Sequence, residues 1–226
     1  MSATESDILS KFMSKLEKKF SDLGGVGCAD IIDTTTLSND PLISELVFSM
    51  LVWESSIEHA LKAAERIHSE LIDLNELRVC TPEELTALLP SRYPRSLERS
   101  HRLIRTLNAI FLRENSLSLA HLRELSKREV IDYFASIDGL PPFVSSRVIL
   151  LGLGWHAFPM DEWLTKQLAR EGIIDNSLDI TEQNHKMDRL VRASDSLKYY
   201  TLIEHWATDQ RAAKISTSKK TIKGSS

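Results

Sequence analysis

Apolar residues recur at helical spacing along most of the chain. In the N-terminal stretch, Lys and Ser fill the positions between apolar residues that stand three or four apart, namely Ile8, Leu9, Phe12, Met13, Leu16 and Phe20. This spacing predicts an amphipathic helix over residues 1–22. Glycine and proline are scarce, at 8 and 7 of 226 residues, and strict apolar–polar alternation is absent from the sequence. The pattern therefore predicts an all-α fold.

The pattern changes three times further along the chain. Residues 23–41 are mostly polar and rich in Thr and Asp, which predicts a linker. A run that is apolar nearly all round begins at Leu42 and predicts a buried helix. We assign residues 42–208 to one domain. We expect residues 209–226 to form a basic, disordered tail, because Ser, Thr and Lys dominate there.

A long amphipathic helix is predicted over residues 94–113, after a short helix that Thr81 and Pro82 begin. Its apolar face is expected to hold Leu97, Ile104, Leu107 and Phe111. The opposite face carries a stripe of arginines, namely Arg95, Arg99 and Arg102, with Arg92 and Arg105 nearby. Such a stripe is usually a solvated charged face, but it is also the best candidate here for contact with phosphate groups.

Charge and cysteine content narrow the classes of function. The formal net charge of −4 argues against non-specific nucleic-acid binding, although the tail from Asp209 carries +4 and the rest carries −8. Cys28 and Cys80 are isolated from each other and from any histidine pair, which predicts no zinc or iron–sulfur site. The sequence is typical of a cytoplasmic protein, with no apolar run near the roughly 18 residues of a membrane span.

The most informative segment covers residues 137–168, IDGLPPFVSSRVILLGLGWHAFPMDEWLTKQL. A Gly- and Pro-rich turn enters an apolar helix, and after a short connection Asp161 begins another helix. This order resembles the helix-hairpin-helix DNA glycosylase superfamily of endonuclease III, in which Leu-Pro-Gly-Val-Gly-X-Lys precedes a Val-Asp-Thr-His segment. The resemblance covers roughly residues 42–170. It implies a two-lobed, all-α helix-hairpin-helix glycosylase fold.

In the gapless register, the hairpin of that superfamily falls on residues 137–143. The resemblance implies that Gly139, Leu140, Pro141 and Phe143 contact DNA, because hairpin N–H groups bind a phosphate. It also implies a monovalent cation on hairpin carbonyls. Pro141 replaces the second glycine and has no N–H to donate, which weakens this interpretation. The simpler alternative is an ordinary turn between helices.

Asp161 falls on the catalytic carboxylate of the superfamily. The resemblance implies that it stabilises the positive charge on the sugar or deprotonates the attacking water as the base departs. Asp at the start of a helix is also a routine N-cap, so the two interpretations compete. Phe143 falls where bifunctional members carry a lysine that attacks the sugar, so Schiff-base chemistry is not expected.

Two further departures weaken the glycosylase hypothesis. Glu54 falls on the glutamine that intercalates into the duplex, and phosphates repel a carboxylate there. The iron–sulfur cysteines of many members are missing, so we expect no cofactor of that kind. Trp155, Trp163 and Trp206 are interpreted as core residues, and His156 is a weak candidate for contact with substrate.

Three functions remain open on the sequence. The first is a monofunctional DNA N-glycosylase that acts as a monomer on double-stranded, damaged DNA, and that associates with the nucleoid if the source is bacterial. The second is a non-catalytic descendant that binds DNA. The third is a helical protein-interaction module, which the acidic core favours.

Overall fold

The computed structural model describes residues 4–21, 37–175, 177 and 179–223, with side chains as far as residue 210. All regular structure in these ranges is helical, which confirms the predicted all-α class. The helices are α1 (Glu5–Lys19), α2 (Pro41–Val52), α3 (Ile57–Glu70), α4 (Leu74–Val79), α5 (Pro82–Leu88), α6 (Ser96–Glu114), α7 (Lys127–Ala135), α8 (Pro142–Arg147), α9 (Glu162–Arg170), α10 (Ile180–Leu190) and α11 (Ser196–Lys223). None of these helices is both long and apolar enough to cross a membrane.

Side-chain caps explain where several helices begin. Thr81 and Glu84 form a capping box at α5, and Pro82 occupies its first turn, as the sequence predicts. The same box forms at α7 between Ser126 and Glu129. These caps satisfy N–H groups that have no partner inside the helix, so local sequence fixes the start of each helix.

Helix α2 lies at the centre of the molecule. Every residue from Leu42 to Val52 is buried, which confirms the predicted buried helix. It packs against α3, α6, α8 and the π-helical turn Val148–Gly152 that continues α8. The close approach depends on Gly152, since a Cβ there would lie 2.8 Å from a methyl carbon of Leu42.

Two lobes flank this centre. Helices α3 to α6 pack on one another in the first lobe. In the second lobe, α1 packs along α11, where the rings of Phe12 and Trp206 meet edge to face at 5.0 Å. An exposed ion pair between Lys19 and Asp209, at 2.7 Å, joins the same two helices. The two ends of the chain therefore build one lobe together.

Two sequence predictions about these elements are wrong. The basic tail was expected to be disordered from residue 209, whereas α11 continues to Lys223. No Gly or Pro lies between Ser196 and Lys223 to end the helix. The buried face of α6 is also rotated, because Leu97 is 48% exposed while Leu103 and Ile110 are buried. Most of the predicted linker lies outside the described residues.

The turn between α7 and α8 is held tightly against α6. Gly139 has a φ of 83°, and a Cβ on it would lie 2.9 Å from the Arg102 carbonyl oxygen. The backbone of α6 cannot move aside without losing helical hydrogen bonds. Glycine is required here by both the backbone conformation and the packing.

We predict that Gly139→Ala destabilises the protein much more than Gly154→Ala. Gly154 has a similar φ of 70° but no heavy atom within 4 Å of an added Cβ. Gly154→Ala is the control, and its free energy of unfolding should fall by about 1–2 kcal/mol, which is the cost of left-handed backbone for an L-residue. Gly139→Ala adds a steric clash worth about 1–3 kcal/mol more. Urea unfolding measures both values, and equal losses would contradict the close packing on α6.

Candidate functional site

Asp161 immediately precedes α9 and caps it. Its Oδ1 accepts a hydrogen bond from Leu164 N at 2.7 Å, and its Oδ2 accepts one from Glu54 N at 3.0 Å. The residue is 5% exposed. The N-cap interpretation is therefore confirmed, and the catalytic role of Asp161 stays a prediction. The partial positive charge of the helix N-terminus favours a negative charge at this position.

Glu54 faces Asp161 across the junction of α2 and α9. Its backbone is left-handed, with a φ of 53°, and its Oε1 accepts a hydrogen bond from Glu162 N at 2.7 Å. The residue aligned with the intercalating glutamine therefore lies against α9 in the free protein. Burial, together with the negative charge of Asp161, raises the pKa of Glu54 to about 7. The carboxyl group consequently titrates close to neutral pH.

Asp161 lines a small pocket to which α8, α9 and α11 all contribute. Its polar and aromatic lining includes Ser55, Phe143, Asp161, Trp163, Tyr200 and Glu204. The pocket volume is about 40 Å³, enough for about one water molecule, whereas benzene fills an engineered cavity of roughly 150 Å³. A larger cavity of about 360 Å³ lies near Ile67 and Leu74, away from Asp161, and borders undescribed residues.

The position of Phe143 supports the gapless register of the hairpin. Phe143 lies in the second position of α8, is 4% exposed and lines the same pocket as Asp161. A residue aligned with the lysine of bifunctional enzymes is thus next to the candidate carboxylate. No lysine lines this pocket among the described residues.

The hairpin between α7 and α8 offers few N–H donors. Pro141 caps α8 without a side-chain hydrogen bond, and Pro142 is its first residue. Both lack an N–H group, which leaves Gly139, Leu140 and Phe143 as donors near the turn. Contact of these three N–H groups with a phosphate stays a prediction, and the two prolines weaken it.

The prediction that Arg99 contacts DNA is wrong. Arg99 is fully buried, and its guanidinium donates to the carbonyl oxygens of Met50 and Trp53 at the end of α2. It also donates to the Pro94 carbonyl at 3.2 Å. These carbonyls have no partner within α2, so Arg99 takes the place of a C-terminal cap.

The other arginines of the stripe lie at the surface but are already paired. Arg95 forms ion pairs with Glu98 at 3.4 Å and Glu162 at 3.2 Å. Arg102 pairs with Glu98 at 3.0 Å and approaches the Gly139 carbonyl at 3.5 Å. Arg95 therefore holds α9 against α6, and Arg102 holds the hairpin against α6. Contact of Arg95 and Arg102 with DNA remains a prediction that requires these ion pairs to exchange for phosphates.

A buried network beside the pocket was not predicted from the sequence. Arg147, 1% exposed, contacts Glu204, Ser49 at 3.1 Å, Tyr200 at 3.0 Å and Glu45 at 3.4 Å. Burial raises the pKa of Glu45. Each of the three helices carries one charged residue of this network, Glu45, Arg147 or Glu204, inside an apolar run, and this was the available signal in the sequence.

The tryptophans and His156 differ in their roles. Trp206 packs in the core against Phe12, as predicted, whereas Trp163 lines the pocket. His156 lies within 2.8 Å of the Asp188 carbonyl oxygen and does not line the pocket.

Comparison with known proteins supports the resemblance. No protein-family model and no curated protein matches the chain. A trapped covalent intermediate of endonuclease III with DNA matches 90% of the chain and 85% of its own, with a TM-score of 0.65 at 13% identity. The H. pylori 3-methyladenine DNA glycosylase MagIII, bound to 1,N6-ethenoadenine, matches 93% and 98%, with a TM-score of 0.57 at 14% identity. A thermostable thymine-DNA glycosylase matches 89% and 86%, with a TM-score of 0.56 at 11% identity.

The chain has the helix-hairpin-helix DNA glycosylase fold. At 11–14% identity the likeness concerns the fold alone. Within that fold, Asp161 and Phe143 occupy the junction between the hairpin helix and the second lobe.

The cation that the glycosylase fold implies does not fit the hairpin well. The Gly139 carbonyl faces the guanidinium of Arg102 at 3.5 Å, and this positive charge repels a second cation. Among the described side chains, no group of three or more His, Cys, Asp or Glu could hold a metal ion. Cys28 lies outside the described residues, so the expectation that no iron–sulfur cluster is present stays a prediction.

We predict that Arg99→Gln destabilises the protein by about 3 kcal/mol, because buried carbonyls at the end of α2 lose their charged donor. Arg102→Gln is the matched control on the same helix. Its side chain is 38% exposed, and loss of its surface ion pair should cost at most about 1 kcal/mol. Urea unfolding at constant salt measures both. An Arg99→Gln protein as stable as the control would show that the cap is dispensable.

We predict that stability falls as pH rises from about 4.5 to 7 through the titration of Glu54, whose pKa is raised from 4.5 to about 7. The folded state binds the proton of Glu54 more tightly than the unfolded state does. The contribution of this proton to the free energy of unfolding is therefore present at low pH and lost above pH 7. Glu54→Gln should therefore be more stable than the wild type by about 1 kcal/mol at pH 8, after allowance for solvent screening, and equally stable at pH 4.

Glu162→Gln is the control for that experiment. The hydrogen bond from Lys166 lowers the pKa of Glu162, so this substitution should not stabilise the protein at pH 8. Urea unfolding between pH 4 and 8 gives the comparison. Parallel pH profiles for wild type and Glu54→Gln would contradict the raised pKa of Glu54.

Proposed function

We propose that this protein is a monofunctional DNA N-glycosylase that removes a damaged or mismatched base from double-stranded DNA. The observation that carries the proposal is the shared pocket of Asp161 and Phe143 at the start of the hairpin helix. It combines a buried carboxylate with the position at which bifunctional relatives carry a lysine. The fold alone does not decide between catalysis and binding, whereas this pairing favours base excision.

In this mechanism, the target nucleotide flips out of the duplex and its sugar lies next to Asp161. The bond between C1′ and the base nitrogen breaks, and its electron pair leaves with the base. Positive charge then develops on the sugar, and the Asp161 carboxylate stabilises it. A water oxygen bonds to C1′, and Asp161 accepts the proton that water releases. The proton then passes from Asp161 through solvent to the departed base, which leaves a free base, an abasic site and the Asp161 carboxylate.

Phe143 restricts the reaction to hydrolysis. A phenyl ring cannot attack C1′ or form a Schiff base, so strand cleavage by β-elimination through this position is excluded. The ring also keeps one wall of the pocket apolar, which strengthens the electrostatic effect of the Asp161 carboxylate on the sugar.

The pocket has to widen before it can hold a base. Its volume of about 40 Å³ is several times too small for an aromatic ring. Glu54 lies at the edge of this region, and both of its hydrogen bonds, to Asp161 and Glu162, cross the junction of α2 and α9. We propose that Glu54 leaves α9 when DNA binds, which frees the Glu162 N–H and gives access to Asp161.

Duplex DNA is the proposed partner, and we expect a monomer in the cytoplasm to bind it. The hairpin N–H groups of Gly139, Leu140 and Phe143 supply one phosphate contact. Arg95 and Arg102 supply others if phosphates replace Glu98 and Glu162 as their partners. Association with the nucleoid follows if the source is bacterial.

A non-catalytic DNA-binding protein is the second candidate. One observation favours it, namely the closed pocket, whose volume of about 40 Å³ is too small for a base. Such a protein would bind damaged DNA without breaking the bond between base and sugar.

We predict that the wild type releases a base from at least one duplex in a panel that contains uracil, alkylated, oxidised and mismatched bases. Strands should break only after alkali, and borohydride should trap no covalent complex. Asp161→Asn should lower the rate by about 100-fold or more, since Asn keeps the helix cap but lacks the charge.

Asp179→Asn provides the matched control. Asp179 caps α10 through Thr181 N and Glu182 N, and it does not line the pocket. This variant should retain the wild-type rate. Tight, salt-sensitive DNA binding without base release would instead establish the non-catalytic protein, and absence of DNA binding would leave the interaction module.

A further inference from the structure

One residue that lines the pocket has a carboxylate oxygen that is buried without a hydrogen-bond donor. Glu204, on α11, is 8% exposed and lines the pocket together with Asp161. Its Oε1 accepts hydrogen bonds from the Arg147 guanidinium and from Tyr200 Oη, the latter at 2.8 Å. No side chain or backbone group in the described part of the chain donates to Oε2, which is shielded from solvent.

An unpaired acceptor of this kind is unusual in a protein interior. Buried polar atoms almost always have a partner, because the loss of hydration is otherwise uncompensated. The ion pair with Arg147 accounts for the carboxylate and for Oε1, but no described contact accounts for Oε2. A ligand that brings its own N–H group would satisfy Oε2.

We propose that Glu204 determines which base the pocket accepts, and that its Oε2 receives a hydrogen bond from an N–H group on the edge of the flipped base. This inference rests on the proposed binding of a flipped nucleotide. A base with N–H donors on that edge completes the hydrogen bonding of Glu204. A base with acceptors alone leaves Oε2 unpaired and faces repulsion between lone pairs, so the pocket rejects it.

The surrounding network fixes the orientation of the Glu204 carboxylate. Arg147 and Tyr200 both approach Oε1, and Glu45 and Ser49 hold Arg147 from the other side. In Glu204→Gln the amide oxygen must therefore lie toward Arg147, because guanidinium groups only donate. The amide NH₂ then takes the place of Oε2. The substitution converts an acceptor into a donor without changing the shape of the pocket.

The test compares two duplexes that differ only in one base. One carries 2,6-diaminopurine, which has two amino donors, and the other carries unsubstituted purine, which has only acceptor nitrogens. Each base stands opposite a tetrahydrofuran abasic analogue, so that no base pair has to break, and a 2′-fluoro sugar prevents base release. Competition fluorescence anisotropy at fixed salt gives the ratio of the two dissociation constants.

We predict that the wild type prefers the diaminopurine duplex by about tenfold and that Glu204→Gln abolishes or reverses this preference. Glu45→Gln is the control, because Glu45 contacts the same Arg147 but does not line the pocket, and it should keep the wild-type ratio. If Glu204→Gln does not fold, Glu204→Asp serves instead. It keeps the charge but withdraws the oxygen, and it should weaken the preference without reversing it.

Equal binding of the two duplexes by the wild type, or an unchanged ratio in the Glu204 variants, would overturn this role of Glu204. The glycosylase would stand in that case if Asp161→Asn still abolished base release. Failure of the wild type to bind either duplex better than intact DNA, with no base released from the panel, would overturn both proposals.

Discussion

The end of helix α2 is the point on which the site depends. The guanidinium of Arg99 is buried and donates to the carbonyls of Met50 and Trp53, so it caps the C-terminal end of the helix. The next residue, Glu54, turns into left-handed backbone and directs its N–H at Asp161. The carboxylate is thus oriented by a chain of contacts that begins on α6. Each step follows from the need to satisfy buried polar groups.

Two charged side chains lie in the interior of this fold. Arg99 and Arg147 are both almost completely buried, and each is held by several acceptors. Buried ion pairs of this kind contribute little to stability compared with apolar residues, but they fix the relative orientation of the helices that carry them. Arg147 joins α8 to α2 and α11. The helices around the pocket are therefore joined by buried ion pairs.

Periodicity predicted the helices well, whereas the pairing of Phe143 with Asp161 was implied by the resemblance to the glycosylase superfamily. A gapless register sufficed because the segment between them is a single helix and a short connection, whose length is fixed by geometry. Arg99 was wrongly predicted to contact DNA, because the spacing of arginines along a helix does not reveal which of them faces the end of a neighbouring helix. Glu204 was missed because its partner Arg147 lies 57 positions earlier, beyond the range of any local pattern. The helical tail shows the same limit, since composition alone predicted disorder there.

The pairing of α1 with α11 joins segments that lie far apart in the sequence, since Lys19 and Asp209 are separated by 190 positions. Contacts of such long range close a large loop, which costs more chain entropy than the local contacts between α5 and α6. Tyr200 and Glu204, which line the pocket, both lie on α11. One wall of the pocket is therefore expected to become ordered later in folding than the short-range helix pairs of the first lobe.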